Sequence, residues 1–501
     1  MSIKRGVVQK CEGKRKTRTE NVMSYTETRA ENVINMIKTR AENVMISFLC
    51  VSLQGRKHTE RKHMERLLME ELKVWKDRTD RKPLILRGAR QVGKTWLLKD
   101  FGKKAFDDVC YINFERSSGL GSLFDGTIQP ARIVEQLSLL HGKKIEPQRT
   151  LIIFDEVQEM PRALTSLKYF AEEAPEYAIC CAGSLLGVAL HEGTSFPVGK
   201  IDFLDLYPLS FREFLMACGQ GALADSILNG NRALQPFEEI LTDTLKRYFV
   251  IGGMPAAVNA WLSTKDYNAV EEVQHQLIMA YQQDFSKHAP KSMVEKIRYV
   301  WDSIPSQLAR ENKKFVYGLV REGARAREYE DTLLWLSDAG EIIRTQNVAK
   351  PDVPLKAYTD LKAFKIFLLD VGLLRCLSGL SPKAIIDGNR IFEEFKGALT
   401  EQYVCQELQL QRGLQANYYW TSGFKAEVDF LVSDGMYVYP LECKAGKSMN
   451  AKSLKVYCEK YRPRLAVRTS LLPYERNEEA HVVNIPLYML FALSAELSSG
   501  R

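Results

Sequence analysis

The amino-acid sequence predicts an α/β protein: a parallel sheet with helices between its strands, then a helical middle, then a second α/β block. Three observations carry that reading. Short apolar runs recur at Pro83–Arg87, Val109–Phe114, Leu151–Phe154, Tyr177–Cys181 and Ile201–Leu206, with helical stretches between most of them; strands alternating with helices pair in parallel. The first run leads through a glycine-rich turn straight into a helical stretch, Lys94–Phe101. Near the other end, Ala426–Val432 and Tyr437–Lys444 alternate in strand fashion on either side of the turn Ser433-Asp-Gly435.

At 501 residues the chain is long enough for about three domains. Its 45% hydrophobic and 26% charged residues are ordinary for a globular protein and exclude disorder throughout. The formal net charge of +8 invites a nucleic-acid or membrane-surface reading, but it is not evenly spread. Residues 1–66 hold 15 of the 70 Lys and Arg and seven of the 62 acids, all Glu; removing them leaves 55 of each sign, so the remainder is neutral. That segment also repeats with a period of eleven: Thr17-Arg-Thr-Glu-Asn-Val-Met, Thr28-Arg-Ala-Glu-Asn-Val-Ile and Thr39-Arg-Ala-Glu-Asn-Val-Met. Such a period suits a right-handed coiled coil. With only a thin Val and Met stripe, it is expected to be a poorly ordered or dispensable extension, with Met64 or Met69 as an alternative start.

Ten cysteines without a CxxC pair, two of them adjacent at Cys180 and Cys181, give neither a disulfide framework nor zinc-ligand spacing. Reduced thiols and a cytoplasmic location are expected. The longest apolar run, Ile179–Leu190, is broken by Gly183, Ser184 and Gly187 and falls well short of the ~20 residues that span a bilayer. No membrane partner is expected.

The elements then follow in order. Helical spacing in Met69–Trp75 leads to the first strand. After it, Gly88-Ala89-Arg90-Gln91-Val92-Gly93-Lys94-Thr95 fits G-x4-G-K-[ST], the phosphate-loop pattern. Its glycines let backbone N–H groups curl round a phosphate at a helix N-terminus, Lys94 reaches the outer phosphates, and the Thr95 hydroxyl ligates Mg²⁺. The competing reading is a glycine-rich turn without a ligand; a buried strand before the pattern and a helix after it argue against that. About 60 residues on, Leu151-Ile-Ile-Phe-Asp155-Glu156 is a core strand ending in two acids, where open α/β sheets bind ligands. Asp155 would hold Mg²⁺ and Glu156 would polarise the attacking water. A third strand ends at Ala182-Gly-Ser184, where Ser184 either senses the γ-phosphate or simply begins a turn.

Residues 221 to about 300 read as helices broken at Gly252-Gly253-Met-Pro255, and Val300 to about Val348 has the helix, helix, helix, strand order of a winged helix. A last α/β block begins near Phe392. Within it, Glu442 and Lys444 lie two apart on a strand and share a face. With Asp429 on the neighbouring strand they could bind a divalent metal and set a lysine beside the attacking water. Against this reading, a tight turn centred on Asp434 puts Asp429 opposite roughly Tyr439 rather than Glu442, so Pro440 would have to create a bulge to bring the acids together.

Leu86-Arg-Gly-Ala-Arg-Gln-Val-Gly-Lys-Thr95, Phe154-Asp-Glu-Val-Gln158, Ala182-Gly-Ser184 and Leu206-Tyr-Pro-Leu-Ser-Phe-Arg-Glu-Phe214 together resemble a family of bacterial and archaeal AAA-type ATPases. Its members carry a C-terminal domain similar to the restriction-endonuclease fold. The likeness runs from about residue 66 to 475 and includes Ile251–Pro255, Asn312–Tyr317 and Asp370–Leu374. It implies a P-loop NTPase sheet at 67–220, a helical lid and winged-helix-like region at 221–385, and a restriction-endonuclease-like α/β domain at 386–501, after the basic extension at 1–66. It implies ATP binding, and it adds Glu401, on the helix before the D…E-x-K strands, as the extra acid of a nuclease site.

Nucleic acid could also meet Arg310, Lys313, Lys314, Arg325 and Arg327 of the winged-helix-like stretch, although Glu322, Glu328, Glu330 and Asp331 interleave as on a solvated face. Tyr418-Tyr419-Trp420 reads as strand core more readily than as a base-stacking platform. Arg212 and Arg247 are arginine-finger candidates by residue type alone. The expected function is a Mg²⁺-dependent ATPase coupled to a nuclease-like domain that acts on or binds DNA or other nucleic acid. The alternative is an ATP-dependent scaffold whose inactive C-terminal domain recruits a protein partner. Homo-oligomerisation is compatible with both.

Overall fold

The computed structural model describes residues 64–116, 118–183, 199–232, 234–310, 313–387, 392–423, 426–446 and 451–499. The eleven-residue repeats and Ser184 lie outside the described residues. Met64–Arg501 form a compact unit of their own.

The first sheet holds β1 (Leu84–Arg87), β2 (Asp108–Asn113), β3 (Thr150–Asp155), β4 (Ala178–Ala182) and β5 (Asp202–Asp205), in the order β2-β3-β4-β1-β5. Every pairing is parallel. Helices α1 (Leu68–Asp77), α2 (Lys94–Ala105), α3 (Pro130–His141) and α4 (Pro161–Glu173) flank it. A central strand of such a sheet must be apolar on both faces, and β3 is buried along its whole length. Leu151 and Ile153 enter one core, whereas Ile152 and Phe154 enter the other. Each such side chain contributes about 1.5–3 kcal/mol. This is the P-loop NTPase fold that the strand-helix alternation predicts.

A helical stretch follows: α5 (Phe211–Ala217), α6 (Gly221–Leu228), α7 (Glu238–Ile251), α8 (Pro255–Thr264), α9 (Tyr267–His288), α10 (Val294–Leu308), α11 (Tyr317–Val320) and α12 (Ala326–Asp338). The helix, helix, helix, strand order is present in α10, α11, α12 and β6 (Ile342–Val348), and β6 turns back into β7 (Thr359–Leu368). This hairpin does not stand free as a wing. Beyond it come α13 (Val371–Leu377), α14 (Pro382–Ile386), α15 (Phe392–Leu408), β8 (Gln415–Thr421), β9 (Glu427–Ser433), β10 (Val438–Cys443), α16 (Lys452–Tyr461), β11 (Ala466–Ser470), β12 (Glu475–Asn477), β13 (Val482–Pro486) and α17 (Leu493–Ser499). The hairpin joins these strands in an eight-stranded mixed sheet ordered β12-β13-β11-β10-β9-β8-β6-β7. β6 pairs in parallel with β8, which satisfies the edge a wing would leave open.

The bulge at Pro440 that a tight turn would require is not needed. Val438 pairs with Ser433, Pro440 with Leu431 and Leu441 with Phe430, an unbroken antiparallel register whose next step would set Glu442 opposite Asp429. The turn is longer than a two-residue hairpin because Asp434 Oδ1 accepts from the N–H groups of both Met436 and Tyr437. Its centre therefore moves toward β10, and the acids meet without distortion.

Helix α15 also closes on the first half of the chain. Glu407 accepts from the backbone N–H of Phe211 at 2.7 Å, while its second oxygen is buried without a partner. Burial, with Glu213 nearby, pushes its pKa up to about 8. Between the usual glutamate range and about 8 the folded chain keeps a proton that the unfolded chain has lost, so Glu407 favours folding at acid pH and that support is lost as pH rises through about 8. Glu407→Gln keeps the acceptor and removes the titration. Its melting temperature should overtake that of the wild type progressively from pH 5 to pH 8.5, by an amount corresponding to about 1–3 kcal/mol at the alkaline end.

Candidate functional site

The phosphate loop is built by the local demands of its sequence. Gly88 has φ +143, and a Cβ there would lie 2.1 Å from the Leu206 carbonyl oxygen, so β5 and the loop can pack only against glycine. Gly93 has φ +99 and begins α2 in the left-handed region. Helix α2 has no side-chain cap and no acid in its first turn, in contrast to α5, where Ser210 and Glu213 form a capping box. The first-turn N–H groups of α2 are thus available to an anion.

Lys94 is 7% exposed and donates to the carbonyls of Gly88 and Ala89, both at 2.8 Å. Burial lowers its pKa to about 8, against the pull of Glu156 and Asp155. Asp155, 3% exposed, has its two oxygens 3.0 and 3.1 Å from Thr95 Oγ1, and Tyr111 donates its hydroxyl to Oδ2 at 2.7 Å. Glu156 follows with φ +50, which turns the chain out of the strand. Gln158 donates to its Oε2 at 2.7 Å. Lys94, Thr95, Asp155 and Glu156 thus meet at the C-terminal edge of β1 and β3. A phosphate with Mg²⁺ fits this arrangement, because Lys94 donates to carbonyls of its own loop and the first turn of α2 has neither a side-chain cap nor an acid.

The Arg90 side chain points away from the curl of the loop. Its guanidinium turns toward α9, 2.5 Å from Asp284 Oδ1 and 3.3 Å from His288 Nε2, and its carbonyl accepts from Tyr281 at 2.7 Å. Arg66, the last residue of the basic extension as read from sequence, is buried. It donates to Val92 O at 2.8 Å, Tyr207 O at 2.6 Å and Glu213 Oε1 at 3.0 Å, bracing the loop from behind. Arg212 pairs with Asp225 and Arg247 lies beside Tyr267.

The second cluster lies on the eight-stranded sheet. Asp429 Oδ2 accepts from Cys443 N at 2.7 Å, and Lys444 Nζ is 2.7 Å from Glu442 Oε1. Glu442 is 5% exposed, and its Oε2 is buried without a partner. Burial and the charges of Glu401 and Glu442 hold the Asp429 pKa well above the usual carboxylate range. An orphaned carboxylate oxygen beside a crowded acid is a place for a cation, so Asp429 and Glu442 fit a divalent metal. Glu401 does not stand open in the same way: Lys313 and Lys365 both pair with it. Among the described residues no three His, Cys, Asp or Glu converge to hold a metal. Sequence reasoning offers Lys313 as a nucleic-acid contact or a solvated charge, whereas it pairs with Glu401, and it misses Lys365, whose pattern signal is a lone lysine within the apolar run of β7.

Tyr419 and Trp420 are buried in the strand core, with Trp420 edge-on to Tyr457 and Tyr461. Arg325 and Arg327 are exposed among Glu328, Glu330 and Asp331. Among the described residues no helix is long and apolar enough to cross a membrane.

Fold and site together define a P-loop NTPase domain. The family model for an AAA domain matches residues 80–215. Two families described as domains of unknown function, DUF8612 and DUF4143, match residues 242–384 and 396–488. No curated protein matches the chain. Among solved structures, a Walker-type ATPase of Pyrococcus abyssi is 15% identical, covering 64% of this chain and 96% of that one, with a TM-score of 0.37. The Orc1 protein of Aeropyrum pernix, in complex with DNA, is 11% identical over 64% of this chain and 92% of that one, with a TM-score of 0.26. Cdc6p from Pyrobaculum aerophilum is 12% identical over 66% and 96%, with a TM-score of 0.22. These likenesses are too loose to carry a function.

Proposed function

We propose that the chain is a Mg²⁺-dependent ATPase whose nucleotide cycle governs a C-terminal site that cleaves a phosphodiester of nucleic acid. The observation that carries the first half is the convergence of buried Lys94, the Thr95–Asp155 pair and Glu156 at an uncapped helix N-terminus. Lys94 and the loop N–H groups bind the triphosphate, Thr95 and Asp155 are the residues that would hold Mg²⁺, and Glu156 accepts a proton from the attacking water. Bound Mg²⁺ supplies neutralisation of the phosphate charge.

The second half is supported by the unbroken register of β9 and β10 up to Leu441 and Phe430, just before Glu442 and Asp429, whose charges act on one another. Asp429 and Glu442 would hold a divalent ion, which supplies charge neutralisation at the phosphodiester. Lys444, hydrogen-bonded to Glu442, holds a positive charge where the water and the scissile phosphate approach. The full chain should cleave DNA with Mn²⁺ or Mg²⁺, and Glu442→Ala should reduce the rate at least ~100-fold. The scaffold reading, in which the C-terminal domain only recruits a protein partner, is favoured by the saturation of Glu401 with lysines; it gains if the wild type leaves DNA intact.

A further inference from the structure

The C-terminal acid cluster contains two lysines that the proposed chemistry leaves without a task. Lys365, on β7, has a side chain with no solvent exposure. Its Nζ lies 2.5 Å from Glu427 Oε1 and 3.5 Å from Glu401 Oε2, and 4.9 Å from the centre of the Tyr419 ring. Lys313, from the segment before α11, pairs with the other oxygen of Glu401. Both oxygens of Glu401 are therefore claimed by ammonium groups. Glu442 differs: Lys444 holds one oxygen, and the other is buried and unpartnered.

Four carboxylates, Glu401, Glu427, Asp429 and Glu442, thus face three ammonium groups, Lys313, Lys365 and Lys444. The carboxylate in excess belongs to the Asp429–Glu442 pair, where Asp429 accepts from the Cys443 backbone and one Glu442 oxygen has no partner. A wholly buried lysine persists only where anions replace its lost hydration, and here the anions that do so are the ones a second metal ion would need.

We propose that Lys365, with Lys313 beside it, is a built-in cation that occupies the place of a second metal ion, so that the site takes a single divalent ion between Asp429 and Glu442 and Glu401 is not a ligand. The inference rests on the reading of the C-terminal site as metal-binding, and it specifies the stoichiometry of that site. Neither lysine touches the reaction; both position the carboxylates.

The test is the stoichiometry of Mn²⁺ binding to the full chain, measured by calorimetry without nucleotide in an Asp155→Asn background that removes the P-loop carboxylate. The background protein should bind one Mn²⁺, and Glu442→Gln should abolish that binding. Lys365→Met should bind a second ion, or bind the first at least tenfold more tightly. If Lys365→Met fails to fold, Lys313→Met, at the rim of the cluster, should show the same change in weaker form. Two ions in the background protein would overturn the proposal, as would lysine variants that bind as the background does. Absence of Mn²⁺ from every protein would overturn this inference and the metal-dependent reading alike. A single Glu442-dependent ion in a chain that never cleaves DNA would remove the nuclease reading and leave the inference standing.

Discussion

Lys94→Ala is expected to weaken ATP binding by at least ~100-fold while leaving the fold intact. The ammonium sits inside the curl of the phosphate loop, held there by the Gly88 and Ala89 carbonyls. Incoming phosphate oxygens replace those contacts with charge-assisted ones, which are roughly twice as strong as neutral hydrogen bonds. Stability should move little. Burial has already lowered the Lys94 pKa to about 8, so the folded chain holds this charge under strain. Losing it relieves desolvation and offsets the small cavity left behind, and the net change should lie within about 1 kcal/mol. Equilibrium binding of a fluorescent ATP analogue, read beside thermal melting, checks both parts; a variant that loses binding by unfolding would contradict the account.

Asp370→Ala should have the largest effect on stability. Asp370 is wholly buried at the start of α13, where its oxygens accept from Leu373 N at 2.9 Å and Gly253 N at 2.6 Å. Burial raises its pKa to about 6 in spite of these donors. A Cβ on Gly252 would lie 2.1 Å from Asp370 Oδ1, so the Gly252-Gly253 turn exists in order to approach this carboxylate. From that turn Gly253 accepts from Leu209 N at 2.7 Å, and Pro255 reaches within 3.7 Å of the Cβ position on Gly93. Removing the carboxylate leaves two buried N–H groups without acceptors, at a cost of about 2–5 kcal/mol. Asp370→Asn should lose nearly as much, because its amide nitrogen would face one of the same donors. Urea unfolding checks the magnitude. Because the turn abuts the phosphate loop, nucleotide affinity should fall in the same variants.

The features legible in the sequence are those whose partners are close in the chain or fixed by strand geometry. Gly88 to Thr95 is a contiguous motif, and Asp155 and Glu156 end an apolar strand that can only be a sheet interior. The register of Asp429 and Glu442 was misread by sequence reasoning because it depends on where the hairpin turns, and the Asp434 side chain decides that through two hydrogen bonds. For Arg66, Asp370, Lys313 and Lys365, nothing nearby in the chain names the partner, although a lone lysine in the apolar run of β7 marks Lys365 as unusual. Their contacts span 147 residues to Glu213, 117 to Gly253, and 88 and 36 to Glu401. The β6–β7 hairpin was assigned to the helical middle for the same reason: its order along the chain suits a wing, and only its parallel pairing with β8 places it in the second sheet. Net charge proved a poor guide, since the basic excess lies in residues 1–66, of which Arg66 is a buried brace of the loop and not a surface cation.

ATP hydrolysis at the phosphate loop is measured by steady-state phosphate release from the full chain, with and without Mg²⁺ and with Lys94→Ala alongside. The expected result is Mg²⁺-dependent turnover in the wild type that falls at least ~100-fold in the variant. Turnover that is absent from the wild type, or that persists in Lys94→Ala, would contradict it.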